Sequence, residues 1–250
     1  MSHKYCFSSN FIVVNLLVMA LMVGCQNGQQ DGNVSKSNAP EQIENSPTVE
    51  PILLESFEDS TTIGKKGLNK ILLQYYQSDS FYVVLNFYAK YRNEWALKRT
   101  FQTEKDGVAE CRPNIIDFNN DGYNDFTYVS GVAPRGANEI RDLFIYDALT
   151  NDLVFIKNSN YFPNIQYNGL INCVDSWAVS SGSSTKFLSI EHDSFRMFAE
   201  VAAMDGELNI YTYNKDGMQK LEFNKTIEEE DVFIRYKNYK PLVENVNSSY

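Results

Sequence analysis

Histidine is nearly absent: the 250 residues hold two, His3 and His192. His192 stands alone between Glu191 and Asp193, so a zinc cage of His and Cys ligands has too few members to form. No Gly-x-Ser-x-Gly elbow occurs, and no cysteine sits beside a histidine as a nucleophile pair would. Carboxylate pairs of the glycosidase kind lie far apart in a chain and leave no local signature. The expectation is therefore a protein that is not an enzyme. Lysine and arginine number 22 against 32 acidic residues, a formal net charge of −10, and they never gather into a stripe. That argues against nucleic acid as a partner. Alanine is scarce, and no long stretch repeats apolar residues at helical spacing.

The longest apolar stretch, Phe11 to Val23, is interrupted only by Asn15 and follows the positive charge of Lys4. It is too short to span a bilayer comfortably and reads as the core of a secretory signal. It ends at Met22-Val23-Gly24-Cys25, which resembles the lipobox of bacterial lipoproteins, with Met22 where leucine is usual. The resemblance implies cleavage before Cys25 and lipidation of that cysteine, a lipid anchor being the only membrane attachment. Gln26 follows, where an inner-membrane retention signal would place Asp, so the outer membrane of a bacterial envelope is the expected address. Residues 1–24 are then a signal peptide. Residues 25–50, rich in Gln, Asn, Gly, Ser, Pro and Glu, are a flexible tether that cannot bury enough surface to fold. Residues 51–250 remain for one β-rich domain.

Within that domain, tyrosine and phenylalanine are abundant at 16 each, and short apolar runs alternate with turn residues. Strands are predicted over Lys70–Tyr76, Phe81–Arg92, Trp95–Thr103, Pro113–Phe118, Asp125–Val132, Leu143–Asp147 and Leu153–Lys157. Further strands are predicted over Leu170–Trp177, Thr185–Glu191, Phe195–Ala202, Glu207–Tyr213, Met218–Phe223 and Asp231–Tyr236. Thr150-Asn151-Asp152 and Asn214-Lys215-Asp216-Gly217 have the composition of hairpin turns. The fold class is all-β, an antiparallel sandwich or barrel-like domain.

Between the fourth and fifth of these strands lies Asp117-Phe118-Asn119-Asn120-Asp121-Gly122-Tyr123-Asn124-Asp125. Oxygen-bearing side chains recur at alternate positions (Asp117, Asn119, Asp121), a glycine permits a sharp turn, and Asp125 closes the run. Calcium takes six to eight oxygens, and a loop wound around it supplies them from alternate residues, with Tyr123 offering its carbonyl. An EF-hand would carry a bidentate Glu at the twelfth position, where Tyr128 stands. The apolar flanks make this a calcium loop between strands. The same residues also suit a metal-free Asn/Asp/Gly turn, but three carboxylates in nine residues repel one another without a cation.

The loop and its flanks resemble the calcium loop of FG-GAP/VCBS-type repeats, present here in one copy. From Asp117 through the segment Gly131 to Asn138, the strand Asp142–Asp147 and the hairpin into Leu153–Ile156, the chain is similar to calcium-binding bacterial lipoproteins. Those lipoproteins inhibit lysozyme and act as immunity proteins beside type IV-secreted antibacterial effectors. The resemblance covers roughly residues 110 to 200 and implies the fold, calcium and a lysozyme-like hydrolase as partner. Inhibition would need a protruding loop, and Ser180–Phe187 is the candidate, with Ser181, Gly182, Ser183 and Lys186 as contact residues. The plain alternative is a hairpin loop. Another reading of the chain is a calcium-dependent binding or adhesion lipoprotein that recognises glycan or protein. Once Cys6 leaves with the signal and Cys25 carries lipid, Cys111 and Cys173 remain. In an oxidising compartment they are expected to form a disulfide.

Overall fold

The computed structural model describes residues 50–133 and 137–240. The signal peptide, Cys25, all of the tether but residue 50, and the middle of the Gly131–Asn138 segment lie outside them. The described chain is built of strands in three antiparallel sheets, arranged as a sandwich and not a closed barrel. Sheet 1 contains β1 (Ile52–Asp59), β2 (Asn69–Gln77), β3 (Phe81–Tyr91) and β4 (Glu94–Glu104). Sheet 2 contains β5 (Asn114–Ile116), β6 (Asp125–Val132), β7 (Glu139–Asp147) and β8 (Asp152–Phe155). Sheet 3 contains β9 (Gln166–Asn168), β10 (Cys173–Val179), β11 (Ser183–Glu191), β12 (Ser194–Met204), β13 (Glu207–Tyr213) and β14 (Gln219–Thr226). Each is a meander in which strands pair with their sequence neighbours.

Two-residue turns set several registers. Arg92 and Asn93 join β3 to β4 with φ of 48° and 70°, and Asp205-Gly206 joins β12 to β13 with φ of 54° and 76°. Positive φ at both central residues matches the right-handed twist of the paired strands. The expected turns at Thr150–Asp152 and Asn214–Gly217 fall between β7 and β8 and between β13 and β14. Asn214 Oδ1 accepts the amides of Asp216 and Met218, at 2.9 Å each.

The core explains why sheet 2 does not alternate in sequence. Strands β6 and β7 are buried on both faces. On one face, Phe126, Tyr128, Phe144 and Tyr146 pack with Ile71, Leu73, Val83, Leu85 and Phe87 of sheet 1. On the other, Leu143 and Ile145 pack with Val174, Leu188 and Phe195 of sheet 3. Successive residues of β7 therefore serve opposite cores, the period-two geometry of a strand with apolar neighbours on both sides. Phe144 is the hub, its ring 4.9 Å from that of Phe101 and 5.0 Å from that of Phe155. The outer face of sheet 3 buries Phe187, Val201 and Ile210 beneath Val232 and Tyr236 of the C-terminal segment. Arg235 holds that segment by donating from Nε to the fully buried Asp175, at 2.8 Å, and the Tyr236 amide donates to Thr185 Oγ1 at 3.0 Å.

Two expectations need correction, and one strand was not foreseen. Asp231–Tyr236 is no strand: Glu229–Phe233 forms a short 3₁₀ turn whose Val232 and Tyr236 plug sheet 3. Strand β1 was missed because its apolar residues, Ile52, Leu53, Leu54 and Phe57, do not alternate and mostly face solvent at the sheet edge. The structure holds no Cys111–Cys173 disulfide: both cysteines are free. Cys111, fully buried, packs between sheets 1 and 2, and its amide donates to Glu55 at 3.1 Å. Cys173 opens β10 and packs against the cluster under the C-terminal segment. Burial pushes both thiols up to about 12, Glu55 adding to the effect at Cys111 and Asp175 at Cys173.

Two outcomes follow. Phe144→Ala should cost about 3–5 kcal/mol, read as a lowered urea midpoint, whereas Leu97→Ala on the exposed face of sheet 1 should stay within about 0.5 kcal/mol. Thiol counting on denatured, unreduced protein should find Cys111 and Cys173 both alkylatable; a bridged peptide in the map would refute the free-thiol assignment.

Candidate functional site

The loop from Asp117 to Asp125 leaves β5 and enters β6. Its side chains fold back on its own backbone. Asp117 accepts the amides of Asp121 (3.2 Å) and Gly122 (2.8 Å), and Asn119 Oδ1 also accepts the Asp121 amide (3.2 Å). Asp121 accepts the Tyr123 amide at 2.9 Å and the Asn119 side-chain amide at 2.9 Å. Asn120 and Gly122 carry φ of 58° and 90°, the left-handed backbone that a tight Asn/Gly turn supplies at little cost.

Asp125 is the joint between this loop and the core. It is fully buried, and its two oxygens accept from opposite sides: Phe118 N–H at 2.7 Å and Tyr146 N–H at 2.8 Å. One carboxylate thus ties the loop's start to β7. Burial pushes its pKa up to about 7 against the pull of those two amides, and the charges of Asp121 and Asp117 push the same way. The loop is also stapled to the β1–β2 connection, where Gly64 N–H donates to the Asn124 carbonyl at 2.9 Å and Asn124 Nδ2 donates to the Thr62 carbonyl at 3.0 Å. A Cβ on Gly64 would meet Asn69 Oδ1 and the Tyr146 ring at 2.8 Å, so only glycine allows this approach. Tyr123 lays its ring 5.5 Å from that of Tyr146, leaving its carbonyl as its possible donor.

The donor chemistry fits a hard cation: every candidate atom is oxygen, from Asp117, Asn119, Asp121, Asp125 and the Tyr123 carbonyl. Among the described residues, no three His, Cys, Asp or Glu side chains gather as a ready metal cage. The loop's carboxylates are instead satisfied by amides. Asn119 and Asp121 also line a cavity of about 570 Å³ with Tyr146, Asp147, Ile190 and His192. His192, the lone histidine among the described residues, lies in the β11–β12 turn at φ 58°.

The Ser/Gly run is placed differently from the expectation of a protruding loop. Only Ser180, Ser181 and Gly182 lie between β10 and β11, closed by Ser180 N–H donating to the Gly182 carbonyl at 2.8 Å. Ser183 is buried and donates to the Val232 carbonyl at 2.6 Å. Lys186 is a mid-strand residue opposite Ser176 and Glu200. A Cβ on Gly182 would stand 2.3 Å from the Ala203 carbonyl oxygen. The small residues serve close packing of a tight hairpin, and the stretch has no tip long enough to enter a cleft.

A second cavity, about 600 Å³, opens where the ends of β4 and β6 meet the start of β7. Asp142, buried within β7, lines it. Asp142 shares a strand face with Phe144 and Tyr146, the face that sheet 1 covers.

No protein-family model and no curated protein matches the chain. A solved structure described as a Xanthomonas type IV secretion system related protein is similar at a TM-score of 0.43 and 12% identity, covering 70% of this chain and 99% of that one. A likeness this distant carries no functional argument.

Asp125→Asn should destabilise the metal-free domain by about 1–3 kcal/mol, because an amide keeps one acceptor oxygen and turns a donor toward the second N–H. Asp121→Ala, at the exposed loop tip, should cost well under half as much. Denaturant midpoints in chelator check this, and equal midpoints for the two variants would remove Asp125 from its structural role.

Proposed function

We propose that this chain is a lipid-anchored envelope protein whose calcium-stabilised β domain binds and blocks lysozyme-like peptidoglycan hydrolases. What supports the reading is the Asp117–Asp125 loop. Its side chains fold back on the loop's own amides, and its buried last carboxylate feels the charges of the other two. A cation there relieves the repulsion and stiffens the segment that Asp125 fastens to β7. The loop motif carries the resemblance to lysozyme-inhibiting lipoproteins, and the acidic surface suits a basic hydrolase by raising the association rate. Contact through Ser181, Gly182, Ser183 and Lys186 is not part of the proposal, since those residues build a hairpin. The Asp142 cavity favours a second reading, a calcium-stabilised module that binds a ligand of its own.

Calcium should raise the thermal midpoint of the wild-type domain. At 10 mM, with affinity typical of extracellular sites, mass action contributes about 1–3 kcal/mol. Asp121→Ala should abolish the shift, and superimposable wild-type melts in calcium and chelator would end the calcium claim. Separately, muramidase activity on cell-wall substrate should fall as soluble domain is added in calcium, less so at high salt. If calcium stabilises the domain but no hydrolase in a broad panel is slowed at micromolar protein, inhibition is wrong and the second reading stands.

A further inference from the structure

We infer that the cavity between sheets 1 and 2 is a saccharide-binding site, with Asp142 as its buried hydrogen-bonding group and Tyr161 as its stacking platform. This supplies a ligand class for the second reading above and depends on neither calcium nor hydrolase inhibition. Asp142 is 4% exposed yet lines a cavity of about 600 Å³, within the range of small-molecule sites. Its Oδ2 accepts from Tyr128 O–H at 2.8 Å, and the hydroxyls of Ser130 and Thr103 lie beside the same carboxyl. Among the described residues no cation pairs with it. Placing a carboxyl inside a fold without a charge partner is costly, and groups kept that way concentrate where ligands bind.

The other charges around the cavity are already engaged. Lys105 Nζ, fully buried, donates to the Ala109 and Asp106 carbonyls and lies 4.8 Å over the Tyr75 ring. Asp106 accepts the Val132 amide at 2.7 Å. Lys157 pairs with Asp193 at 2.5 Å. Glu104 and Asp142 are left, so the cavity repels anions and offers acceptors and hydroxyls to a ligand rich in O–H and N–H donors. Two aromatic side chains complete it: Phe155 in the wall and Tyr161 at the mouth, 76% exposed. The flat ring of Tyr161 beside buried oxygen acceptors suits the apolar face and polar rim of a pyranose. A neutral hexose or N-acetylhexosamine unit matches all of these features. A compact diamine matches the carboxylates but leaves the rings unused.

The test is titration calorimetry of the soluble domain with N-acetylglucosamine trimer, a neutral hexose trimer and, as the competing chemistry, putrescine. Binding of at least one trimer in the millimolar range or tighter is expected. Asp142→Asn, which keeps an acceptor for Tyr128, and Tyr161→Ala, on the surface, should each weaken it about tenfold, equal to 1.4 kcal/mol. Thermal melts verify folding, and Tyr161→Ala keeps the test decisive if the buried variant unfolds. Binding of putrescine alone, binding of no sugar, or sugar binding indifferent to both substitutions would overturn the proposal. The calcium melts and hydrolase assays are unaffected by any of these results.

Discussion

One buried carboxylate holds the fold and the candidate metal loop together. Asp125 accepts an amide from the loop and another from β7, so the loop cannot move without disturbing the strand that carries both cores. Charged hydrogen bonds of this kind are among the stronger polar contacts, and removing one partner strands a buried donor. The same residue closes the oxygen series from Asp117. Any ion held there would act on β7 through a single side chain, and from β7 on the aromatic cluster around Phe144.

Much of the architecture was legible because strands and turns have local causes. Strands β6 and β13 were read to the residue, Asp125–Val132 and Glu207–Tyr213, since each is bounded by strong turn chemistry. Strand β7 was cut short at Leu143, because Glu139, Arg141 and Asp142 read as polar while their backbone is fully paired. The apolar residues of edge strand β1 do not alternate, and the three-residue β9 is too short to show a pattern. The loop motif was visible as spacing, but the amides that Asp117, Asp121 and Asp125 bind depend on backbone geometry that no spacing rule encodes.

The misread features share a cause. A Ser/Gly-rich run has the same composition whether it forms a long finger or a tight hairpin, and only the strand register separates the two; here Val179 pairs with Ser183. Counting two leftover cysteines likewise contains no distance, and Cys111 and Cys173 belong to different packing layers. Asp142 escaped notice because a carboxylate in an apolar run looks like a solvent-facing residue until the partner sheet on that face is known. Composition constrains which chemistry is present, whereas burial determines which of it is available.

The middle sheet has a consequence for how the chain acquires its structure. Sheet 1 presents its apolar face to it and sheet 3 one of its two, the other lying under the C-terminal segment, whereas β6 and β7 have no face that water could cover. Hairpin meanders rely on contacts near in sequence and form early, so the outer two can assemble while the central one still awaits both covers. Until they dock, Phe126, Tyr128, Phe144 and Tyr146 form an adhesive strip. As the chain is made from its N-terminus, sheet 1 emerges first and can shield that strip on one side before sheet 3 exists. The order of the meanders along the polypeptide thus works as a built-in escort for its least soluble part.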